Sequence, residues 1–259
     1  MARPEDALVD PPLVALVTGA SSGIGRATAA RLAADGYEVH ATARRSVRLD
    51  ALAAETGCAG HAVDVRDHGA MIELIQAIGP LDVLVNNAGL GRMDGNLAES
   101  SVADLVQSVD TNVTALMVAT HAALPAMIER RRGHVVNIGS MAGLYPLASA
   151  SYGATKAAVH RLSTNLRLEL RGTGVRVTEI CPGRVSTEFY DVAVTDPDRR
   201  RTTKDSGVDE VTADEVADAI AYAIGVPAHV NINRIELQPT GQTYGGSQFD
   251  TIPDEEASP

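Results

Sequence analysis

The sequence predicts an α/β fold in a single domain, with a doubly wound, seven-stranded parallel sheet and helices on both faces. Three observations lead to this prediction. Short apolar runs rich in β-branched residues alternate with longer helical segments, as is typical of parallel sheets. A glycine-rich turn joins the first apolar run to the first helix. Polar residues follow the ends of several predicted strands, which is where ligands bind in open α/β sheets.

The predicted strands, in chain order, centre on residues 13–17, 38–42, 60–63, 83–86, 134–138, 175–180 and 234–237. Helices are expected to fill most of the spaces between them. Segment 188–210 breaks the alternation, because it is charged and shows no clear period. It is expected to be a disordered surface loop. The alternative, a mobile lid over the substrate, is implied by the family resemblance described below.

A chain of 259 residues with 45% hydrophobic content can bury one substantial core. We expect this domain over residues 12–245, a flexible arm over 1–11 and a flexible, acidic tail over 246–259. No apolar stretch reaches the roughly 18 residues typical of a membrane span. The N-terminus also lacks the apolar segment of a signal peptide. We therefore expect a cytoplasmic protein without a membrane partner.

Charge and cysteine content exclude further classes of function. The net charge of −11 argues against non-specific nucleic-acid binding, so no nucleic-acid partner is expected. Cys58 and Cys181 do not have the spacing of metal ligands. We expect buried free thiols at these positions and no metal site.

The glycine-rich turn follows the pattern T-G-x-x-x-G-x-G over residues 18–25. Gly19 permits a tight exit from the strand, and Gly23 lets the backbone approach a pyrophosphate. Gly25 allows the next helix to pack closely on the sheet. The helix N-terminus offers N–H groups and its positive dipole end to the phosphates. A flexible Gly/Ser turn is the alternative, and the flanking strand and helix argue against it.

Tyr152 and Lys156 lie four positions apart, so a helix would place both side chains on one face, with roughly 5–6 Å between their Cβ atoms. The reference pKa of a phenol, about 10, is too high for proton transfer at neutral pH. A nearby ammonium favours the phenolate and lowers this pKa. The pair is therefore a candidate general acid and base. Alone, it could equally be two solvated side chains.

Together these motifs resemble the short-chain dehydrogenase/reductase family, from about residue 12 to residue 245. Further motifs fall in the family's order: Asp64-Val65, Asn86 to Gly89, Asn112, Ser140 and Pro182-Gly183. Within the family, the chain most resembles NADP-dependent 3-hydroxy acid dehydrogenases, which also act on serine-like substrates. Residues 133–140, 152–156, 172–178 and 227–233 carry this closer resemblance.

The resemblance implies a Rossmann fold and a ketoreductase that transfers hydride between NADP(H) and a secondary alcohol, ketone or aldehyde. It implies that Tyr152 transfers the proton and that Ser140 holds the substrate oxygen. Lys156 would bind the nicotinamide ribose and lower the pKa of Tyr152. Asn112 would anchor a water that links Lys156 to bulk solvent. Ser140 and Tyr152 are 12 positions apart, one fewer than in many members, which puts the shape of the substrate pocket in doubt.

The resemblance also implies a cofactor-binding set and an assembly. The implied assembly is a homotetramer, with a dimer as the fallback, packed through helices near residues 101–131 and 151–171. Two other functions stay open: a non-catalytic NADP-binding sensor, and a lyase or epimerase on the same scaffold. The implied cofactor-binding residues are Gly19, Ser21, Ser22, Gly23, Ile24, Gly25, Arg44, Asp64, Val65, Asn87, Ala88, Gly89, Tyr152, Lys156, Pro182, Gly183, Val185 and Thr187.

The end of the second predicted strand indicates which cofactor is preferred. Ala43 stands where NAD-preferring relatives carry Asp, and Arg44 can pair with a 2′-phosphate. Arg26 is a second candidate for this contact. The alternative is that Arg44 and Arg45 are ordinary exposed charges. We expect NADP(H).

Two arginines indicate the substrate class. Arg92 and Arg184 each follow a motif at the predicted crevice, and a guanidinium can grip a carboxylate through two parallel N–H donors. We therefore expect an anionic carbonyl substrate, such as a 3-oxo or semialdehyde acid, with Arg184 as the stronger candidate. Met141 and Tyr190 are further candidate substrate contacts. The alternative is that both arginines meet only solvent or cofactor phosphates.

Overall fold

The computed structural model describes residues 11–92, 96–146, 149–243 and Phe249. Its strands are β1 (Val14–Thr18), β2 (Glu38–Ala43), β3 (Ala59–Ala62), β4 (Val83–Asn86), β5 (Gly133–Ile138), β6 (Val175–Pro182), β7 (Val185–Ser186), β8 (Val211–Thr212) and β9 (Arg234–Leu237). Its α-helices are α1 (Gly23–Ala34), α2 (Ser46–Thr56), α3 (His68–Ile78), α4 (Val102–Val109), α5 (Ala115–Glu129), α6 (Ala150–Glu169), α7 (Phe189–Ala193), α8 (Pro197–Lys204) and α9 (Ala213–Gly225). A π-helical turn, Asp110–Thr114, joins α4 to α5, and a 3₁₀ turn, Met141–Gly143, follows β5.

Seven of these strands form one parallel sheet in the order β3-β2-β1-β4-β5-β6-β9. The chain runs outward from β1 to β3 and then returns to place β4 on the other side of β1. This reversal leaves a crevice at the carboxyl ends of β1 and β4, the usual ligand site of such sheets. The predicted sheet is confirmed, and the strand bounds differ from the predicted ones by no more than two residues.

The sheet is buried on both faces. Neighbouring residues of β1 point to opposite sides: Leu16 packs in one apolar cluster with Met127 and Leu166, and Val17 packs in the other with Leu49. Side chains alternate along a strand, so a strand covered on both faces must be apolar at nearly every position. This explains the continuous apolar runs in the sequence.

Segment 188–210 is more ordered than the loop interpretation predicted. It contains α7 and α8, and Val185–Ser186 before it pairs with Val211–Thr212 after it. The Asp196 carboxylate accepts a hydrogen bond from the Arg199 N–H, and Pro197 occupies the first turn of α8, so this helix begins with a normal cap. The disordered-loop interpretation is therefore wrong for this segment. The lid interpretation stays a prediction.

The continuous helical run Val102–Glu129 is long and apolar enough to cross a membrane by length and composition alone. Ala119, Ala123 and Met127, however, are buried in the cluster beneath the sheet. Their burial is typical of a core helix in a globular domain. The predicted arm and tail lie outside the described residues, apart from Pro11 and Phe249.

Candidate active site

A cavity of about 410 Å³ lies at the carboxyl ends of the sheet strands. It brings together residues that are widely separated in the sequence. Gly25 and Asn112 do not line it. The other predicted site residues do: Gly19, Ser21, Ser22, Gly23, Ile24, Arg44, Asp64, Val65, Asn87, Ala88, Gly89, Arg92, Ser140, Met141, Tyr152, Lys156, Pro182, Gly183, Arg184, Val185, Thr187 and Tyr190.

The glycine-rich turn is folded tightly onto the end of β4. Gly19 has a φ of +67°, and a Cβ built there would lie 2.9 Å from Ala88 Cα. A Cβ on Gly25 would lie 2.5 Å from the carbonyl oxygen of Gly19, so this glycine allows close packing behind the cavity wall. The Asn87 side chain donates a hydrogen bond to the Thr18 carbonyl at 2.8 Å. The turn is therefore a bare backbone cradle before a helix N-terminus, and it fits the pyrophosphate of a dinucleotide.

Ser140 and Tyr152 meet at the other end of the cavity. Ser140 caps the 3₁₀ turn after β5, and its Oγ accepts a hydrogen bond from the Ala142 N–H at 3.1 Å. Tyr152 lies in the first turn of α6, where Ser140 is its hydrogen-bonding partner. The two side chains are therefore close enough to hold one substrate oxygen, and this role, which the family resemblance implies, stays a prediction.

Lys156 lies one helical turn after Tyr152 and is buried. Its Nζ donates a hydrogen bond to the Ile138 carbonyl at 2.8 Å and lies 5.9 Å from the centroid of the Tyr152 ring. Burial lowers the pKa of Lys156 to about 8.

The expected lowering of the Tyr152 pKa by Lys156 is not what the structure shows. Burial raises the pKa of this phenol, and the hydrogen bond with Ser140 opposes that rise. The reason is that removal from water disfavours the phenolate more strongly than the surrounding groups favour it. The phenol is therefore protonated at neutral pH, and the raised pKa makes it a weaker acid than an ordinary tyrosine. Its role as proton donor stays a prediction.

Asn112 lies in the π-helical turn and is buried. Its Oδ1 accepts a hydrogen bond from the Leu90 N–H at 2.7 Å, and its Nδ2 donates to the Leu90 carbonyl at 2.8 Å and to Thr155 Oγ1 at 3.0 Å. Both N–H donors are therefore used within the protein. Oδ1 keeps a second lone pair that could accept a hydrogen bond from a water, and the predicted anchoring of a water stays a prediction.

Arg45, which was not among the predicted site residues, also lines the cavity. Its guanidinium donates hydrogen bonds to Ser21 Oγ at 3.0 Å and to Ser22 Oγ at 2.6 Å, and so closes the cavity between β2 and the glycine-rich turn. Arg44 also lines the cavity. Arg26 instead pairs with Glu55. The available signal was the adjacent pair Arg44-Arg45 at the strand end.

The two candidate substrate arginines are already paired. Arg184 is only 4% exposed, and its Nε donates to Glu210 Oε1 at 2.6 Å. Arg92 Nε donates to Asp104 Oδ1 at 2.9 Å. Arg184 is buried, and a buried cation without a counter-charge is strongly unfavourable, which explains its pairing with Glu210. The expected contact of these arginines with a substrate carboxylate stays a prediction.

Phe189 was also missed. Its ring lies 5.4 Å from the ring of Tyr152, and it lines the cavity from α7. A Cβ on Gly91 would lie 2.5 Å from Phe189 Cζ, so the glycine makes room for this ring. Segment 188–210, the candidate lid, therefore contacts the predicted proton donor directly. No pattern within segment 188–210 indicated that contact.

Comparison with known proteins agrees with this geometry. The family model of the short chain dehydrogenases matches residues 13–197. The chain is 41% identical over 242 residues to an NADP-dependent 3-hydroxy acid dehydrogenase of Salmonella typhi, covering 90% of this chain and 98% of the relative. It is 42% identical over 240 residues to a serine 3-dehydrogenase of Rhizobium radiobacter, covering 90% and 96%.

A solved structure of serine dehydrogenase, the closed form complexed with NADP⁺, superposes with a TM-score of 0.86 at 39% identity. The alignment covers 93% of this chain and all of that one. The family match, the sheet topology and the Ser140–Tyr152–Lys156 constellation agree with one another. The chain belongs to the short-chain dehydrogenase family.

Proposed function

We propose that the chain is an NADP(H)-dependent oxidoreductase that transfers hydride between the nicotinamide and a secondary alcohol, ketone or aldehyde. The observation that carries the proposal is the shared cavity. Arg44 and Arg45 lie with the glycine-rich turn on its cofactor side, and Ser140 and Tyr152 line the same space. Relatives described as NADP-dependent, and one solved with NADP⁺, support this choice of cofactor.

The chain's own residues supply positioning and proton transfer. The cofactor, when bound, supplies or accepts the hydride. Tyr152 Oη donates its proton to the substrate oxygen as negative charge develops there, and the Ser140 hydroxyl holds that oxygen in line. The Lys156 ammonium fixes the ribose hydroxyls beside the phenol. Phe189 covers Tyr152 and keeps water away from the ring.

The proposed substrate is a 3-hydroxy acid or the corresponding 3-oxo or semialdehyde acid. Relatives described as 3-hydroxy acid and serine dehydrogenases support this class. Arg184 remains the candidate carboxylate contact, although it shares its charge with Glu210. Replacing Arg184 with Met should raise KM for an acid more than for its neutral ester. Equal effects on acid and ester would exclude charge recognition by Arg184.

We further propose a cytoplasmic homotetramer, with a dimer as the fallback. One face of α4 presents Val102, Val106 and Val109, whose exposed fractions are 75%, 63% and 51%. A row of exposed valines on one helix face is unfavourable in water and is typical of a surface that another subunit covers.

The proposed activity is tested with purified protein, NADPH and a panel of 3-oxo acids, semialdehydes and neutral ketones. Loss of NADPH absorbance in proportion to alcohol formed is expected. A sensor would bind NADPH without turnover, and a lyase or epimerase would convert substrate with no net change in NADPH. Either result would show that the chain is not the proposed oxidoreductase.

A further inference from the structure

Glu188, the first residue of the lid segment, is held by two arginines from the other side of the cavity. Its carboxylate accepts hydrogen bonds from Arg48 Nη1 at 2.7 and 2.8 Å and from Arg45 Nη1 at 3.1 Å. Arg45 and Arg48 lie at the start of α2, directly after β2. The lid is therefore tied to the cofactor side of the cavity through its first side chain.

The same Arg45 guanidinium reaches the glycine-rich turn. Its Nε donates to Ser21 Oγ, its Nη2 to Ser22 Oγ and its Nη1 to Glu188. One guanidinium therefore binds three acceptors. Arg44, Arg45 and Glu188 all line the cavity. A guanidinium binds a carboxylate and a phosphate in the same way, through parallel N–H donors. Glu188 thus occupies a position on Arg45 that a phosphate would also favour.

We propose that Glu188 is a specificity-determining residue for the cofactor. Its carboxylate and the 2′-phosphate of NADP(H) compete for Arg45. Binding of that phosphate leaves Glu188 held by Arg48 alone and so loosens the start of segment 188–210. This inference rests on the NADP(H)-dependent function proposed above. NAD(H) has a hydroxyl in place of this phosphate and carries no charge there that could displace Glu188.

Two features support the competition. Arg48 and Arg45 hold the pKa of Glu188 below its usual value, so the carboxylate is charged at neutral pH. Each partner of these ion pairs is also partly exposed, so the pairs are weak enough for a phosphate dianion to displace. Release of Glu188 from Arg45 would also move the next residue, Phe189, whose ring packs on Tyr152.

Loosening of segment 188–210 can be measured by trypsin cleavage within α8. Helix α8 contains Arg199, Arg200, Arg201 and Lys204, all of which are trypsin sites. Adenosine 2′,5′-bisphosphate carries the 2′-phosphate without the nicotinamide, and adenosine 5′-monophosphate lacks that phosphate. Trypsin cleavage within α8 and the dissociation constant of each nucleotide are measured for wild type, Glu188→Gln and Asp191→Asn. Asp191 is the matched control, because it lies in α7, directly after Glu188, and pairs with Lys204 instead of Arg45 or Arg48. Cleavage is therefore compared at Arg199, Arg200 and Arg201.

In wild type, adenosine 2′,5′-bisphosphate should speed cleavage within α8, and the monophosphate should not. Glu188→Gln should be cleaved quickly without ligand and respond to neither nucleotide. It should also bind the bisphosphate about 2- to 10-fold more tightly, the range expected for losing weak competing ion pairs. Asp191→Asn should keep the wild-type response to both nucleotides.

Protection of α8 by the bisphosphate, or an undiminished ligand response in Glu188→Gln, would overturn the role of Glu188. NADPH binding is measured in parallel. If neither wild type nor Glu188→Gln binds NADPH, the cofactor assignment fails, and the Glu188 proposal fails with it. NADPH binding without the Glu188 effect overturns the Glu188 proposal alone.

Discussion

The ammonium of Lys156 donates a 2.8 Å hydrogen bond to the carbonyl oxygen of Ile138, the last residue of β5. This contact ties α6 to the end of the strand, two residues before Ser140. One hydrogen bond therefore links the helix that carries Tyr152 to the strand end that carries Ser140. This is the place where we propose that the substrate oxygen is bound.

Replacing Tyr152 with Phe removes the proton donor and leaves the ring that packs on Phe189. We expect kcat to fall by about 10²–10⁴-fold, the usual contribution of general acid catalysis, with little change in NADPH affinity. Steady-state kinetics and NADPH titration measure both. Tyr145→Phe is the control, because Tyr145 lines the same cavity and its hydroxyl donates to Glu236. Comparable activity in the two variants would exclude Tyr152 as the donor.

Replacing Arg45 with Gln removes a charged contact at the expected 2′-phosphate site. A hydrogen bond to a charged group contributes about 1.5–3 kcal/mol, so kcat/KM with NADPH should fall roughly tenfold or more. The value with NADH should change little. Arg31→Gln is the control, since Arg31 lies on α1 and pairs with Asp35 and Asp218. An equal loss with both cofactors would contradict a phosphate contact at Arg45.

Replacing Val106 with Arg places a charge in the exposed valine row of α4. If that row is covered by another subunit, the molar mass measured by light scattering should fall to that of a smaller species. Val47→Arg is the control, because Val47 is also exposed but lies on α2. A monomeric wild type, or an unchanged mass for the variant, would refute assembly through this face.

Burial lowers the pKa of His134 to about 3, whereas an unfolded histidine titrates near 6.5. Between these values the unfolded chain binds more protons, so the free energy of unfolding should fall as pH drops from about 6.5 toward 3. The slope due to one such group is at most about 1.4 kcal/mol per pH unit.

Urea unfolding at several pH values in this range measures the slope. His134→Gln should reduce it, because Gln does not titrate. His229→Gln, at an exposed position, should retain the wild-type slope. Identical slopes in wild type and His134→Gln would show that another group controls the acid response.

Much of the fold and of the site could be predicted from the sequence, because the signals are local. Apolar runs predict strands, and the spacing of Tyr152 and Lys156 predicts that both side chains lie on one face of a helix. The contacts of Arg45 and Arg184 could not be predicted, because Glu188 lies 143 positions from Arg45 and Glu210 lies 26 positions from Arg184, and no local pattern links either pair. The direction of the Tyr152 pKa shift also depends on burial, which spacing does not reveal.

The side chain of Asn112 binds both backbone groups of Leu90 and the hydroxyl of Thr155, which in turn donates to the Tyr152 carbonyl at 2.8 Å. One amide thus sets the distance between the loop after β4, on the cofactor side, and the turn of helix that holds the proton donor. The Asn112 side chain therefore positions both the loop after β4 and the first turn of α6. A longer or shorter side chain at position 112 would displace the loop after β4 and the first turn of α6 together. Neither element can therefore be moved independently by a substitution at this position.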